Sequence, residues 1–339
     1  MSAAVELRLL DVGRVTPEYL HAAYTGLAEC LPRDADYGWL LTARSQRGHI
    51  ALGASQYADA ELDIQACRDA GIPVIQRRLG GGTVWVDDAQ LCVFFILPGA
   101  GARAAFFSRC LDVLCAMFAG IGLAVERVGE QDIWARGAKL LGSGGATIGA
   151  AQVFGASILE RFNTHQFAAC VAAPSAGYRR WLAELLDEQM TDLQRLGIEA
   201  DEARLRCALR AACADHWRVT RAQALDASET AAVAGAYEEL AEPLESGGKR
   251  LVCNGIKINR QTYLFEDAGP NWLRVVWRAN ALVRVAAEQS AAAAVLERCL
   301  GKVLREGLVA GEARAQGFSG DAARRLERRV LQLCRDAGK

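Results

Sequence analysis

Apolar and polar positions change period several times along the chain. Residues 5–10 alternate as a short strand. Thr16-Pro17-Glu18 then reads as a helix start, with Thr16 as N-cap and Pro17 at the first helical position, and the helix runs to about Cys30. Apolar clusters over 39–43 and 49–52 predict two strands, followed by a loop at Gly53-Ala54-Ser55-Gln56. Residues 59–70 carry a helical pattern closed by Gly71. Strands are predicted over 72–76, 83–86 and 91–97, the last ended by Pro98-Gly99. A long apolar-faced helix over 103–120 precedes short strands at 124–127, 132–135 and 153–159. Helical periods return at 178–196, 201–216 and 229–240.

The segment 243–249 mixes Pro, Gly and charge and is the best boundary in the chain. It divides an expected larger domain, residues 1–245, from a small C-terminal α/β appendage, residues 246–339. In the appendage, strands over 251–265 and 272–286 precede helices over 291–305 and 321–336. Strands and helices interleave without a strict βαβ rhythm. Hairpin-like spacings near 132–160 point to an α+β fold with mixed or antiparallel sheets flanked by helices.

Two stretches carry candidate chemistry. Residues 77–91 read RRLGGGTVWVDDAQL. Gly80, Gly81 and Gly82 lack a Cβ, so backbone can approach a ligand closely. Thr83, Val84, Trp85 and Val86 are β-formers that continue the loop as a strand. Arg77 and Arg78 place fixed positive charge beside it, suited to phosphate or carboxylate. Taken alone, the same segment is equally a tight turn between strands with a solvated arginine pair. The second stretch, residues 131–162, puts Lys139 just after a hairpin turn at Arg136-Gly137, ahead of a run of small residues from Gly142 to Ala151. Such a run lets backbone pass close to a ligand or another strand.

Composition narrows the picture. The 339 residues hold 39 Lys and Arg against 40 Asp and Glu, a net charge of −1, which gives no general attraction to nucleic acid or an anionic membrane. No apolar run reaches membrane-spanning length. Eleven cysteines are scattered without a CxxC pair, beside only four histidines. No metal site is expected from them. With no secretory leader in MSAAVELRLLDVGRV, free thiols in a reducing cytoplasm are expected. Cysteines 92, 110, 115, 170, 207 and 213 fall on apolar faces and read as small core residues.

Together the two stretches resemble the lipoate–protein ligase A family, within the wider biotin/lipoate ligase and octanoyltransferase superfamily. The family's first motif runs Arg-Arg-x-Ser-Gly-Gly-Gly-Ala-Val-x-His-Asp-x-x-Asn-Leu. Here Arg77 to Asp87, then Leu91, follows it with one residue missing before the glycines. The second runs Asn-Asp-Ile-x-Val-x-Gly-x-Lys-Ile-Ser-Gly-Ser, and Gln131 to Ser143 matches it without a gap. The match extends to Ser157-Ile158-Leu159, where the family has a strand after a His-Gly pair, and weaker echoes are Gly53–Gln56, at a Gly-x-x-Gln turn, and Gly71–Val74, leading into the arginines. The resemblance covers roughly residues 5–245. The motif histidine is Val86 here, or Asp87 if the gap is moved. The His-Gly pair is Gly155-Ala156, and the polar run after the lysine is small and apolar.

The resemblance implies a class II synthetase/biotin-ligase-like catalytic domain that activates lipoate or octanoate with ATP and passes the acyl group to a lysine of a lipoyl-domain acceptor, a small acidic carrier. It implies Lys139 as the catalytic cation between carboxylate and α-phosphate. Arg77 and Arg78 with Gly81, Gly82, Thr83, Val84 and Trp85 would hold the adenylate, and Gly142 and Ser143 belong to the same site. Asp132 would hold either Lys139 or a Mg2+ brought with ATP. The appendage resembles, in outline, an accessory domain of larger lipoate ligases. Two other readings stay open: a transferase working through a Cys170 thioester, and a catalytically silent relative that binds lipoyl domains.

Overall fold

The computed structural model describes residues 5–99, 101–199, 201–222 and 224–337. Its strands, in chain order, are β1 (Glu6–Val15), β2 (Tyr37–Ser45), β3 (His49–Leu52), β4 (Val74–Gln76), β5 (Val84–Val86), β6 (Gln90–Pro98), β7 (Glu126–Val128), β8 (Asp132–Ala135), β9 (Ala138–Ile148), β10 (Ala151–Leu159), β11 (Arg218–Arg221), β12 (Gly255–Asn259), β13 (Thr262–Asp267), β14 (Leu273–Arg278) and β15 (Ala281–Ala287). Eight of them form one sheet in the order β11-β1-β2-β6-β10-β9-β8-β7. β1 runs parallel to β2 and β11, and every other pair in that sheet is antiparallel. The fold is therefore the expected α+β arrangement on a mixed sheet.

Both faces of this sheet are covered. Helices Arg103–Gly120 and Glu202–Ala214 bury Phe107, Leu111, Leu114, Phe118 and Leu209 against one face. Helices Pro17–Cys30 and Ala227–Glu239 bury Leu20, Leu27 and Val233 against the other. Both of these last helices start as their sequences require. The Thr16 hydroxyl accepts from the Tyr19 amide with Pro17 behind it, and Asp226 and Glu229 form a reciprocal capping box. Central strands such as β6 are buried along most of their length, which explains their continuous apolar run.

A three-stranded sheet, β4-β3-β5, lies beside the main one and carries the Gly-rich loop between β4 and β5. A four-stranded antiparallel meander, β12-β13-β14-β15, packs its own core with helices Ser290–Glu297, Leu308–Ala315 and Gly320–Leu333. Ile258, Leu264 and Val276 of that meander share a further core with Ile50, Trp85 and Leu182. The C-terminal sheet is thus seated on the small sheet that holds the loop.

Three expected helices are shorter than their pattern. The 59–70 segment is two helices, Ala58–Glu61 and Ile64–Asp69, because Leu62 turns extended to bridge Val171 while Asp63 caps the second helix through the Ala66 amide. The 178–196 segment ends at Gln189, where Met190 turns extended and bridges Lys139. The last, expected over 291–305, spans only Ser290–Glu297. The small-residue run 142–151, expected to let backbone pass close to a ligand or another strand, forms paired backbone of β9 and the start of β10. Among the described residues no helix is long and apolar enough to cross a membrane.

Candidate active site

The β8–β9 hairpin turns at Arg136 and Gly137, both at positive φ (50° and 81°). Such a turn needs a residue that tolerates the left-handed region, and glycine supplies the second. Across the hairpin Asp132 pairs in register with Gly142. Lys139 follows the turn, and its Nζ lies 2.9 Å from Asp132 Oδ1. A Cβ at Gly142 would fall 2.8 Å from that Nζ, so the lysine lies along bare backbone. The Lys139 carbonyl accepts from the Thr191 amide at 2.8 Å, which fixes the main chain of this residue from outside the hairpin.

The Gly-rich loop is held by Arg77. Its side chain is buried and donates to the carbonyls of Ala51 at 2.8 Å, Gly80 at 3.2 Å and Gly82 at 2.7 Å. Burial pulls its pKa down to about 10, so it stays charged at neutral pH. Gly81 has φ 102°, and a Cβ at Gly53 would sit 2.0 Å from the Gly81 carbonyl oxygen. A Cβ at Gly144 would sit 2.6 Å from the Gly80 oxygen. The smallness of the post-lysine run therefore lets the loop lie on β9. Gln56 closes the other side: its Oε1 accepts from the Gly53 amide at 3.0 Å and the Thr83 hydroxyl at 3.2 Å.

Arg78 is not part of this arrangement. It faces away, half exposed, towards Glu29 and Glu239 at 3.7 and 3.5 Å, and is absent from the cavity wall. Neighbouring residues of extended chain point to opposite sides. Ile75, Arg77 and Leu79 are buried in alternation, and Arg78 takes the opposite parity.

A cavity of about 620 Å3 joins these parts. Lys139, Asp132, Gly142 and Ser143 line it, as do Arg77, Gly81, Gly82, Thr83, Val84 and Trp85. Part of its buried wall is apolar, with Leu20, Leu79, Cys92 and Phe94, and part is polar, with His21, Gln56, Arg77 and Asp132. Its exposed rim includes Glu130 and, from the C-terminal segment, Leu251, Lys257 and Arg260. This volume lies in the range of small-molecule sites, about 300–1,000 Å3.

Two features of the site had no signal in the sequence. One is the C-terminal rim. The other is a buried histidine pair, with His21 Nε2 and His49 Nε2 3.1 Å apart and His21 lining the cavity. Burial first, then nearby positive charge, keeps His21 well below its ordinary pKa, and burial brings His49 down to about 4. Both rings are neutral at pH 7. The Ser45 hydroxyl donates to the Arg47 carbonyl at 2.7 Å, so it accepts from His49 Nδ1 at 3.2 Å. His49 Nε2 is then the acceptor for His21 Nε2–H, which leaves His21 Nδ1 as a buried acceptor without a partner. His21 sits in an ordinary amphipathic helix, and only β3 lying beneath that helix pairs it with His49.

Neither Cys92 nor Cys170 has the lowered pKa of a reactive thiol. Cys92 lines the cavity but burial pushes its pKa up to about 12. Cys170 is buried away from the cavity wall, and a hydrogen bond from its thiol to Cys67, together with burial, raises its pKa. His165 is exposed. Cys207, expected in an apolar face, is exposed instead.

The model of the lipoyl protein ligase A/B catalytic domain matches residues 26–211, more than half of the chain. The chain belongs to that family. No functionally curated protein matches it significantly. Among solved structures, one of an archaeal lipoylation system from Thermoplasma acidophilum, described as a bipartite lipoate protein ligase and its E2 lipoyl domain, is similar with a TM-score of 0.64 at 18% identity, over 69% of this chain and 93% of that one. A lipoate-protein ligase A bound with ATP gives a TM-score of 0.60 at 18% identity, over 69% and 95%. P. falciparum LipL1 in complex with lipoate gives 0.56 at 13% identity, over 96% of this chain and 99% of that one. These likenesses show the fold that the family member shares.

Proposed function

We propose that this protein is an ATP-dependent lipoate–protein ligase. The observation that carries the reading is Lys139, held by Asp132 in a cavity that combines an apolar wall with the Gly-rich loop. A carboxylate does not acylate an amine at neutral pH, so the acid is first coupled to AMP. Carboxylate and α-phosphate repel, and one ammonium between them offsets that repulsion and stabilises the charge of the pentavalent transition state. Lys139 supplies that charge, and Asp132 aims it. The loop over Gly81–Trp85 wraps the adenylate, with Arg77 fixing its carbonyls, and the apolar wall takes the alkyl chain. In the second step the amine of an acceptor lysine attacks the activated carbonyl and AMP leaves.

Mg2+ enters as part of the ATP substrate, because it keeps several waters and binds through phosphates with one or two carboxylates. Glu130 and Asp132 are carboxylates on this cavity wall. The acceptor is a lipoyl-domain protein, by analogy with the partner named for the archaeal ligase. Residues 246–339 serve as an accessory domain that completes the cavity rim. The alternatives differ in what they need. A thioester transferase requires an accessible thiol of lowered pKa, and Cys170 and Cys92 have neither property.

One experiment separates the readings. The protein is incubated with lipoate and an apo lipoyl-domain acceptor, with and without ATP, and the acceptor is weighed by mass spectrometry. A mass gain only with ATP is expected, and Cys170→Ser should retain it. A hydroxylamine-sensitive adduct on Cys170, formed without ATP from an acylated carrier, would sink the ligase reading.

The loop has its own test. Gly82 has open space where a Cβ would stand and no left-handed φ, whereas Gly81 is strained for any other residue. Gly82→Val should therefore fold, yet place a β-branched side chain against the ligand. Its affinity for a non-hydrolysable acyl-adenylate analogue, read by calorimetry, should fall by about tenfold or more, roughly 1.4 kcal/mol. Unchanged affinity would make the loop merely structural.

A further inference from the structure

The triphosphate is the most highly charged part of ATP, and the cations of the catalytic region are already engaged. Among the described residues, Arg77, Lys139, Lys257 and Arg260 are the cationic side chains lining the cavity. Arg77 directs its donors at three backbone carbonyls. Lys139 is paired with Asp132. Arg78 faces Glu29 and Glu239 outside the cavity. The other two come from β12 and the turn that joins it to β13. Lys257 lies 5.7 Å from the centre of the Tyr263 ring, and Arg260 occupies the turn itself.

Arg260 is exposed to the cavity rim and makes no ion pair among the described residues. It is nonetheless placed. Its guanidinium lies across Gly129, where a Cβ would come within 1.8 Å of Nη1. Gly129 (φ 66°) belongs to the connection from β7 to β8, the strand that carries Asp132. The turn is braced by the Gln261 amide, which donates to Asn259 Oδ1 at 2.9 Å. Asn259 Nδ2 donates to Gln189 Oε1 at 3.2 Å, and the next residue, Met190, bridges Lys139. The C-terminal turn and the catalytic lysine are thus tied to the same end of helix Ala176–Gln189.

We infer that Arg260, on the turn from β12 to β13, is the polyphosphate site of this cavity. It holds the β- and γ-phosphates of the nucleotide and then the pyrophosphate that leaves. In the step concerned, a carboxylate oxygen of the acid bonds to the α-phosphorus. The bond from that phosphorus to the α–β bridging oxygen breaks, and its electron pair departs with pyrophosphate. Arg260 meets the added charge, and its planar fork suits two phosphate oxygens at once. The assignment rests on the ligase reading above, yet it concerns a binding site that can be probed without catalysis.

The test uses the full chain and inorganic pyrophosphate as probe, followed by calorimetry. Arg260→Ala should weaken pyrophosphate binding by about ten- to a hundredfold, the range for losing a charge-assisted contact, and Arg260→Lys should recover part of it. Affinity for an acyl-adenylate analogue, which lacks the β- and γ-phosphates, should change far less. An unchanged pyrophosphate affinity in Arg260→Ala, or an equal loss for both ligands, would overturn the assignment, as would a wild-type protein that does not bind pyrophosphate. Pyrophosphate binding through Arg260 in a protein that never adenylates an acid would sustain the site and fail the ligase reading instead. ATP-dependent acyl transfer with Arg260→Ala unaffected would do the reverse.

Discussion

Lys139→Ala is expected to lower acid-dependent ATP–pyrophosphate exchange by about two to three orders of magnitude, the usual cost of removing a preorganised electrostatic group. The fold should survive. The main-chain contacts of residue 139, its carbonyl accepting from Thr191 and its bridge to Met190, do not need the side chain. Asp132 would lose its counter-charge, but it opens onto the cavity, where water can replace the ammonium. The loss should therefore appear in rate and leave the thermal midpoint within a few degrees. Retention of more than about a tenth of wild-type exchange would show that Lys139 is not the cation of the transition state, since a single stabilising charge is worth more than that.

Arg77→Ala should have the largest effect on stability, at about 3 kcal/mol or more, because it leaves the Ala51, Gly80 and Gly82 carbonyls without their donor. The guanidinium is a scaffold here: its fork spans three oxygens from two chain segments. Arg77→Lys should recover little of the loss, since a compact ammonium on a flexible stem does not reproduce that geometry. Urea unfolding followed by linear extrapolation measures both variants. A loss below about 1 kcal/mol in Arg77→Ala, less than one typical buried unsatisfied group, would mean that water satisfies these carbonyls. The arginine would then be available to a phosphate after all.

The two predictions divide the arginine–glycine motif differently from its linear reading. A pair of adjacent arginines looks like a double positive charge beside a phosphate loop. In three dimensions one is a buried brace and the other a surface residue facing Glu29 and Glu239. The alternation of Ile75, Arg77 and Leu79 holds this distinction in the sequence, but it becomes decisive only once that side of the chain is known to be the interior.

Local chemistry was legible where a short stretch dictates its own geometry. Thr16-Pro17 starts a helix and Arg136-Gly137 turns a hairpin that sets Lys139 just beyond it. Those contacts span few residues, so propensity and pairing register settle them. The tertiary structure alone decided the rest. It ended the helix at Gln189, where a helical pattern continued, because Met190 and Thr191 find partners at Lys139. It brought His21 and His49 together through a helix crossing a strand, and it carried Lys257 and Arg260 onto the rim of a cavity whose lysine lies more than a hundred residues earlier. Such contacts depend on how separate hydrophobic faces stack, and no local period in the chain encodes that stacking.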